Sequence, residues 1–559
     1  MPMLKAILLA GTIAVASPFG ASALAQEIVN VAGIEATRVV IAPPRTELAR
    51  IIKAGLSESY AATQKGSRAY AQTQKLYFFY GSRHFEPLWL SQDAGGKVVF
   101  SPNAEKIIDV FKRSELEGFR PADYLTANLD PSAAGTDPTK LAELETAFSA
   151  AAIKYAQDAF GGRVNPLDVN PTWTIAPKRI NEAELLVKLA GSDDPGQILL
   201  DMSPKQREFI ALRSVLSRFY DGSVIDAAVT IPEGSSLKPG MKDERVTLLR
   251  QRLDVPEPEI PETAGAEAQA DISYDEPLVE AVKAFQSSLG LAADGVVGPA
   301  TVAALNGGAA TTKEDIIANM ERWRWEPDDY GRFEVEVNIP EFRLWIKKDG
   351  EVVHTTRVVV GTAKNQTPVF NDMIKHVVTN PYWNVPSSIK ANEIKPNLLA
   401  NPGYLDSQNM EMLYGGKVVN AAAIDWTQTN IQQFHIRQRP GSRNALGQVK
   451  FLFPNQHDIY LHDTPSKSLF ARTFRAYSHG CVRVENPMDF AGALLALEPK
   501  LTRATLEASF GATERWFNLE NRIPVHLSYF TLRVDEDGTI RSYGDVYGAN
   551  KKMIELLGL

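Results

Sequence analysis

Near residue 332 the hydrophobic period of this chain changes from helical spacing to two, and that switch limits the fold more than any other feature. Beyond it, Phe333, Val335, Val337 and Ile339 alternate with Glu334, Glu336 and Asn338, which predicts a half-buried strand. Leu344 to Lys347 and Val352 to Val360 flank Asp349-Gly350, a strong short-range hairpin signal. A second hairpin is predicted around Asp537-Gly538, between Tyr529–Val534 and Thr539–Tyr543. Between these halves, residues 387–430 are irregular and rich in Asn, Pro and Gly, which predicts an inserted cap. The fold class expected is multidomain α+β: helical first, mainly β at the end.

Residues 60–235 read as helical. Leu141, Leu144, Phe148, Ala152 and Tyr155 recur at helical spacing up to Gly161-Gly162, and Ser203-Pro204 leads into Phe209, Leu212, Val215 and Phe219. Nothing there carries a chemical signature, so 26–240 is read as an N-terminal segment and helical scaffold. Residues 241–308 form a small separate unit. Val246, Leu249 and Leu253 mark one helix; Leu278, Val282, Phe285 and Leu289 mark another. After a turn at Asp294-Gly295, Gly298-Pro299 opens a third toward Val302 and Leu305. The stretch 254–276 holds acids and prolines and no Lys or Arg, the composition of a solvated loop. Residues 309–331 read as a linker helix leading into 332–559.

Lys+Arg 59 against Asp+Glu 67 leaves −8, so no chain-wide cationic field exists to hold nucleic acid. The first 25 residues look like a cleavable signal: Lys5, an apolar run from Ala6 to Ala16, then Ala23-Leu24-Ala25. No later stretch has the apolar length of a membrane span, so the expectation is an exported protein with no membrane attachment after cleavage. The single cysteine excludes internal disulfides and any zinc site built from several thiolates. It also closes the lipoprotein route, because it is Cys481 and lies far from the cleavage point.

Cys481 sits in Tyr477-Ser478-His479-Gly480-Cys481-Val482-Arg483-Val484. Upstream, His457 to Asp463 alternates like a strand, with Ile459 and Leu461 toward a core and Tyr460 and His462 on the other side. A loop joining two β segments can return the cysteine to that side, and a Cys–His pair is the minimum machinery for a sulfur nucleophile. Lys467, Arg472, Arg475 and Arg483 lie on one neighbouring stretch without an acid, and Arg437, Arg439, Arg443 and Lys450 on another. These predict a stabilised thiolate and attraction for a carboxylate-bearing substrate. A zinc site from His457, His462, His479 and Cys481 is the rival. It lacks a helical His-x-x-x-His and a carboxylate in the cysteine loop, so no metal is expected.

Ser478-His479-Gly480-Cys481-Val482-Arg483 resembles the signature of the L,D-transpeptidases, cysteine enzymes that remodel peptidoglycan. Further matches are Val360-Gly361 with Thr367-Pro368, Asn380-Pro381-Tyr382-Trp383, Pro440-Gly441, Asn444-Ala445-Leu446-Gly447 and Tyr460-Leu461-His462-Asp463-Thr464-Pro465. Val282-Lys283-Ala284-Phe285-Gln286 with Asp294-Gly295-Val296-Val297-Gly298-Pro299 resembles the peptidoglycan-binding-like module. The order of parts is similar to that of the large Gram-negative members of the family.

The resemblance implies a periplasmic enzyme without cofactor, acting on peptidoglycan stem peptides as donor and acceptor, with other wall-synthesis enzymes as further partners. Cys481 would form a thioester with a tetrapeptide stem as D-Ala leaves. His462 would move protons, the backbone carbonyl of Asp463 would orient His462, and the N–H groups of Gly480 and Cys481 would hold the oxyanion. Tyr460, His479, Arg483 and Trp383 would contact substrate. An L,D-carboxypeptidase, an enzyme attaching a protein to peptidoglycan, and a non-catalytic wall-binding protein remain open alternatives.

Overall fold

The computed structural model describes residues 27–30, 38–221, 231–253 without 233, 255, 256, 258, 272–302 without 289–291 and 300, 305, 311–535 and 538–559. The expected signal peptide, most of the acidic loop 254–276 and Asp537 of the second hairpin lie outside the described residues. Two compact units divide the chain: residues 1–111, 124–154 and 181–198 form one, and 112–123, 155–180 and 199–559 form the other.

The first unit is helical, with two short β pairs: β1 (Glu27–Asn30) with β2 (Arg38–Ile41), and β3 (Leu90–Gln92) with β4 (Val98–Phe100). Its core forms as the spacing predicts, with Leu141, Leu144, Phe148 and Ala152 buried along the helix Pro138–Gly161. Glu145 on that helix is fully buried. It is satisfied by Tyr80 Oη at 2.6 Å and by the Leu88 N–H at 2.7 Å, while burial raises its pKa.

The second unit is built on a nine-stranded sheet. In chain order its strands and those of the insert are β5 (Phe333–Asn338), β6 (Arg343–Lys348), β7 (Glu351–Gly361), β8 (Phe370–Thr379), β9 (Trp383–Asn384), β10 (Met410–Tyr414), β11 (Lys417–Val419), β12 (His435–Gln438), β13 (Val449–Leu452), β14 (Leu461–His462), β15 (Ala476–Ser478), β16 (Val482–Val484) and β17 (Arg515–Ser528). The large sheet runs β15-β7-β16-β14-β13-β8-β17-β5-β6, with β6 also pairing β7. The hairpin at Asp349-Gly350 forms as expected. A C-terminal pair, β18 (Leu532–Val534) with β19 (Ile540–Ser542), stands where the second hairpin was placed.

One expectation is corrected here. β5 is not half-buried, because every one of its residues is buried. Its polar side lies against charged partners instead of water: Glu336 pairs with Lys347 at 2.9 Å and with Arg533. The helix expected in 309–331 is built into the core. Lys313–Trp323 starts with a capping box between Thr312 and Asp315, and every residue from Ile316 to Trp323 is buried. Glu321 accepts from the Val164 N–H at 2.8 Å, and Arg324 donates to the Glu117 carbonyl at 2.6 Å while lying over the Phe119 ring. One apolar core joins Val164, Trp173, Leu212 and Leu216 to Ile317, Met320, Val335, Val377 and Leu461.

The insert is a small module with its own core, wider and more regular than expected. Four strands, β11-β10-β12-β9, pack with short helices around Val385, Ile389, Leu398, Met412, Trp426 and Ile436. Residues near 241–308 form another separate core from Val246, Leu249, Leu278, Val282, Val302 and Leu305. There Gln286 Nε2 donates to the Val296 carbonyl at 3.0 Å and its Oε1 accepts from the Gly295 N–H at 2.9 Å, fixing the turn.

Candidate active site

Parallel pairing of β14 with β16 puts Leu461 opposite Val482 and His462 opposite Arg483. Leu461 and Val482 are sunk in the core, so alternation sends Tyr460, His462, Cys481 and Arg483 to the other face together. The loop between the strands ends in a tight turn. Ser478 Oγ donates to the Cys481 carbonyl at 2.5 Å and accepts from the Gly480 N–H at 3.1 Å. Gly480 has φ +117, and a Cβ there would come 3.2 Å from Ile459, so the turn requires glycine. The Gly480 N–H is thus occupied, which corrects its expected place in an oxyanion hole. Among the described residues no hydrogen bond engages the Cys481 N–H.

Residues remote in sequence hold this turn. Thr367 Oγ1 donates to the Gly480 carbonyl at 2.7 Å and accepts from the Gly361 N–H at 2.9 Å. Tyr547 Oη donates to the Gly361 carbonyl at 2.8 Å and accepts from the Thr367 N–H at 3.1 Å. Tyr547 escaped sequence reasoning because its segment carries no motif; the Gly361 and Thr367 matches were its only signal.

His462 is buried and neutral. Desolvation, helped by the Arg483 charge, holds its pKa down at about 3. Its Nδ1–H donates to the Asp463 carbonyl at 2.5 Å, which leaves the Nε2 lone pair as the free base. The Asp463 side chain does something else. Its carboxylate accepts from Lys467 Nζ at 2.6 Å and from the Gln448 N–H at 2.9 Å. A Cβ on Gly447, where φ is +60, would lie 2.2 Å from that carboxylate, so the Gly447 position is shaped by this clasp.

Cys481 is half-buried, and its thiol points at the Asp458 carbonyl 3.7 Å away. Burial pushes it up to about 11, against hydrogen bonds from Tyr460 and the Arg483 charge. The expected resting thiolate is therefore corrected to a neutral thiol. The basic stretches are mostly engaged elsewhere. Arg437 and Arg439 both pair with Glu411, Lys467 with Asp463, and Arg475 is sunk in the core where burial lowers it to about 10. Arg483 and Lys450 are the two members opposed to His462, on β16 and β13.

His479 turns outward, its Nε2 meeting Glu393 of the insert at 2.9 Å. The strand of Trp383, β9, pairs with β12, and Trp383 packs against the core of the insert. Among the described residues no three His, Cys, Asp or Glu side chains are grouped to hold a metal ion, and no helix is long and apolar enough to cross a membrane.

Three family models match the chain. Residues 332–499 match the YkuD model, described as L,D-transpeptidase catalytic domain; 74–216 match a scaffold domain; and 262–305 match a "Putative peptidoglycan binding domain". A Haemophilus influenzae protein named "Putative L,D-transpeptidase" is 37% identical over 252 residues, covering 44% of this chain and 50% of that protein, so the match spans about half the relative's length. Similar solved structures include an L,D-transpeptidase (residues 123–326) from Xylanimonas cellulosilytica, at 19% identity, TM-score 0.19, covering 53% of this chain and 99% of that one. Another is an L,D-transpeptidase from Stackebrandtia nassauensis, at 15% identity, TM-score 0.21, covering 54% and 96%. On the sequence matches, the segment 332–499, which carries the Cys481–His462 face, is similar to the YkuD family of L,D-transpeptidase catalytic domains.

Proposed function

We propose that this chain is a periplasmic L,D-transpeptidase, exported by its first 25 residues, that forms 3→3 cross-links between peptidoglycan stems. One arrangement carries the reading: a thiol and a neutral imidazole on one face of adjacent strands, with the imidazole's Nδ1–H committed to the Asp463 carbonyl. Because both groups rest uncharged, the proton leaves sulfur as the C–S bond forms. Cys481 Sγ attacks the L-centre carbonyl of the third stem residue, meso-diaminopimelate, while His462 Nε2 takes the thiol proton. The C–N bond to D-Ala breaks, His462 returns that proton to the leaving amine, and a thioester remains. An acceptor amine then attacks, loses its proton to His462, and releases the Cys481 thiol. The free Cys481 N–H is the oxyanion donor of this scheme, and Gly480 serves by shaping the turn. Tyr460, His479 and Arg483 border the bound stem, and residues 241–308 supply a wall-binding module.

The test is to incubate the full chain with disaccharide-tetrapeptide and weigh the products. Dimers with loss of D-Ala are expected, and Cys481→Ala should lower the rate about a thousandfold or more while the fold persists. Tripeptide alone would make the chain an L,D-carboxypeptidase, and a stem joined to a protein amine would make it a protein-attaching enzyme. No product from folded protein would make it a non-catalytic wall binder. Undiminished transfer by Cys481→Ala would remove Cys481 from the chemistry.

A further inference from the structure

Strand register lines up one row of side chains across the sheet. Trp516 on β17 opposes Val378 on β8, Val378 opposes Lys450 on β13, Lys450 opposes His462 on β14, and His462 opposes Arg483 on β16. Opposed residues point to the same face. The adjacent row, Phe517, Val377, Phe451, Leu461 and Val482, packs into the core, so the first row lies on the face of Cys481. Two cations therefore flank the imidazole, each one strand spacing, about 4.8 Å, to its side.

Neither cation is fully matched. Lys450 is 6% exposed, and its Nζ stands 3.7 Å from Glu514, beyond hydrogen-bond distance. Glu514, the long ion-pair partner of Lys450, also accepts from the Tyr382 N–H at 2.9 Å and from Trp516 Nε1 at 3.1 Å. The Lys450 ammonium lies over the Trp516 and Tyr460 rings, 5.5 and 6.0 Å from their centroids. Arg483 makes no ion pair among the described residues, and its Nε is buried without a hydrogen-bond partner. A buried cation is costly unless an anion meets it. Trp516, 55% exposed, ends the row.

We propose that Lys450, with Arg483 on the other side of His462, binds a carboxylate of the peptide stem, and that Trp516 forms the apolar wall of the same groove. This rests on the transpeptidase reading and names how the donor is recognised. A carboxylate held there also cancels the positive field that opposes an imidazolium at His462, so the bound donor favours the proton transfer it needs.

Thioester formation by the full chain is followed by mass at varied donor concentration. The donors are disaccharide-tetrapeptide and three analogues, each with one carboxylate (on the D-Glu, the diaminopimelate or the terminal D-Ala) replaced by a carboxamide. Lys450→Met should raise the KM for the free acid about tenfold or more, with Lys450→Arg within a few-fold of wild type. One amide donor should bind wild type as weakly as the free acid binds K450M, with no further loss in K450M, which identifies the carboxylate. Glu514→Gln removes the competing charge and should lower the KM for the free acid. It also serves as the deciding variant should K450M not fold. Wild-type turnover with an unchanged K450M KM, equal losses on every donor, or a raised KM in E514Q overturns the proposal alone. A wild-type chain that forms no thioester from any donor overturns the transpeptidase reading as well.

Discussion

Burial pushes the Cys481 thiol up to about 11 and holds His462 down at about 3, so both groups rest uncharged at neutral pH. A thiol raised above its ordinary value exposes thiolate only as pH climbs toward 11. Alkylation of the free enzyme by iodoacetamide should therefore keep accelerating past pH 9, about tenfold per unit. Arg483→Met removes a charge that favours the thiolate and should move that rise further upward. A rate that is flat from pH 6 to 9 would instead reveal a thiolate–imidazolium pair. Counting charges along the chain overstated the local field, because ion pairing is decided between strands. Glu411 on β10 neutralises Arg437 on the neighbouring β12 and Arg439 just after it, and Arg475 is drawn into the core.

At the scale of elements, the cysteine turn owes its shape to segments that are remote in sequence. Thr367 joins the Gly361 N–H to the Gly480 carbonyl, both buried. Thr367→Val keeps the volume and strands both groups, so it should cost roughly 2–4 kcal/mol in urea unfolding and slow thioester formation tenfold or more. Loss of stability with full thioester rate would confine Thr367 to a structural part. The strand β5 shows the limit of periodicity. Its alternation was legible, but only the pairing of Glu336 with Lys347 and Arg533 explains why its polar side is dry. The insert was read as irregular for a similar reason. Elements of three to six residues carry too few periods to register, yet together they enclose a core.

For the whole molecule, the core under the face of Cys481 and His462 draws on segments outside 332–559. Trp173, Phe209, Leu212 and Leu216 and the helix Lys313–Trp323 all pack into it, and Arg324 and Glu321 tie the helix to Glu117 and Val164. A fragment of residues 311–559 should therefore lack a cooperative thermal transition and bind a hydrophobic dye. The full chain should melt cooperatively. A fragment that melts sharply at the temperature of the full chain would show the earlier segments to be dispensable.

Sequence alone determined the elements with long, regular periods and the resemblance to a family, and it singled out Cys481 and His462, because period, turn chemistry and a compact motif are local properties. Tertiary structure decided what depends on partners far along the chain. It set the neutral charge state of Cys481 and His462, the capture of the Gly480 N–H by Ser478, the task of the Asp463 carboxylate, the seat of Trp383 in the insert, and the row that brings Lys450 and Trp516 beside the base. Desolvation and strand register arise only when separate segments meet, and no window of residues records either.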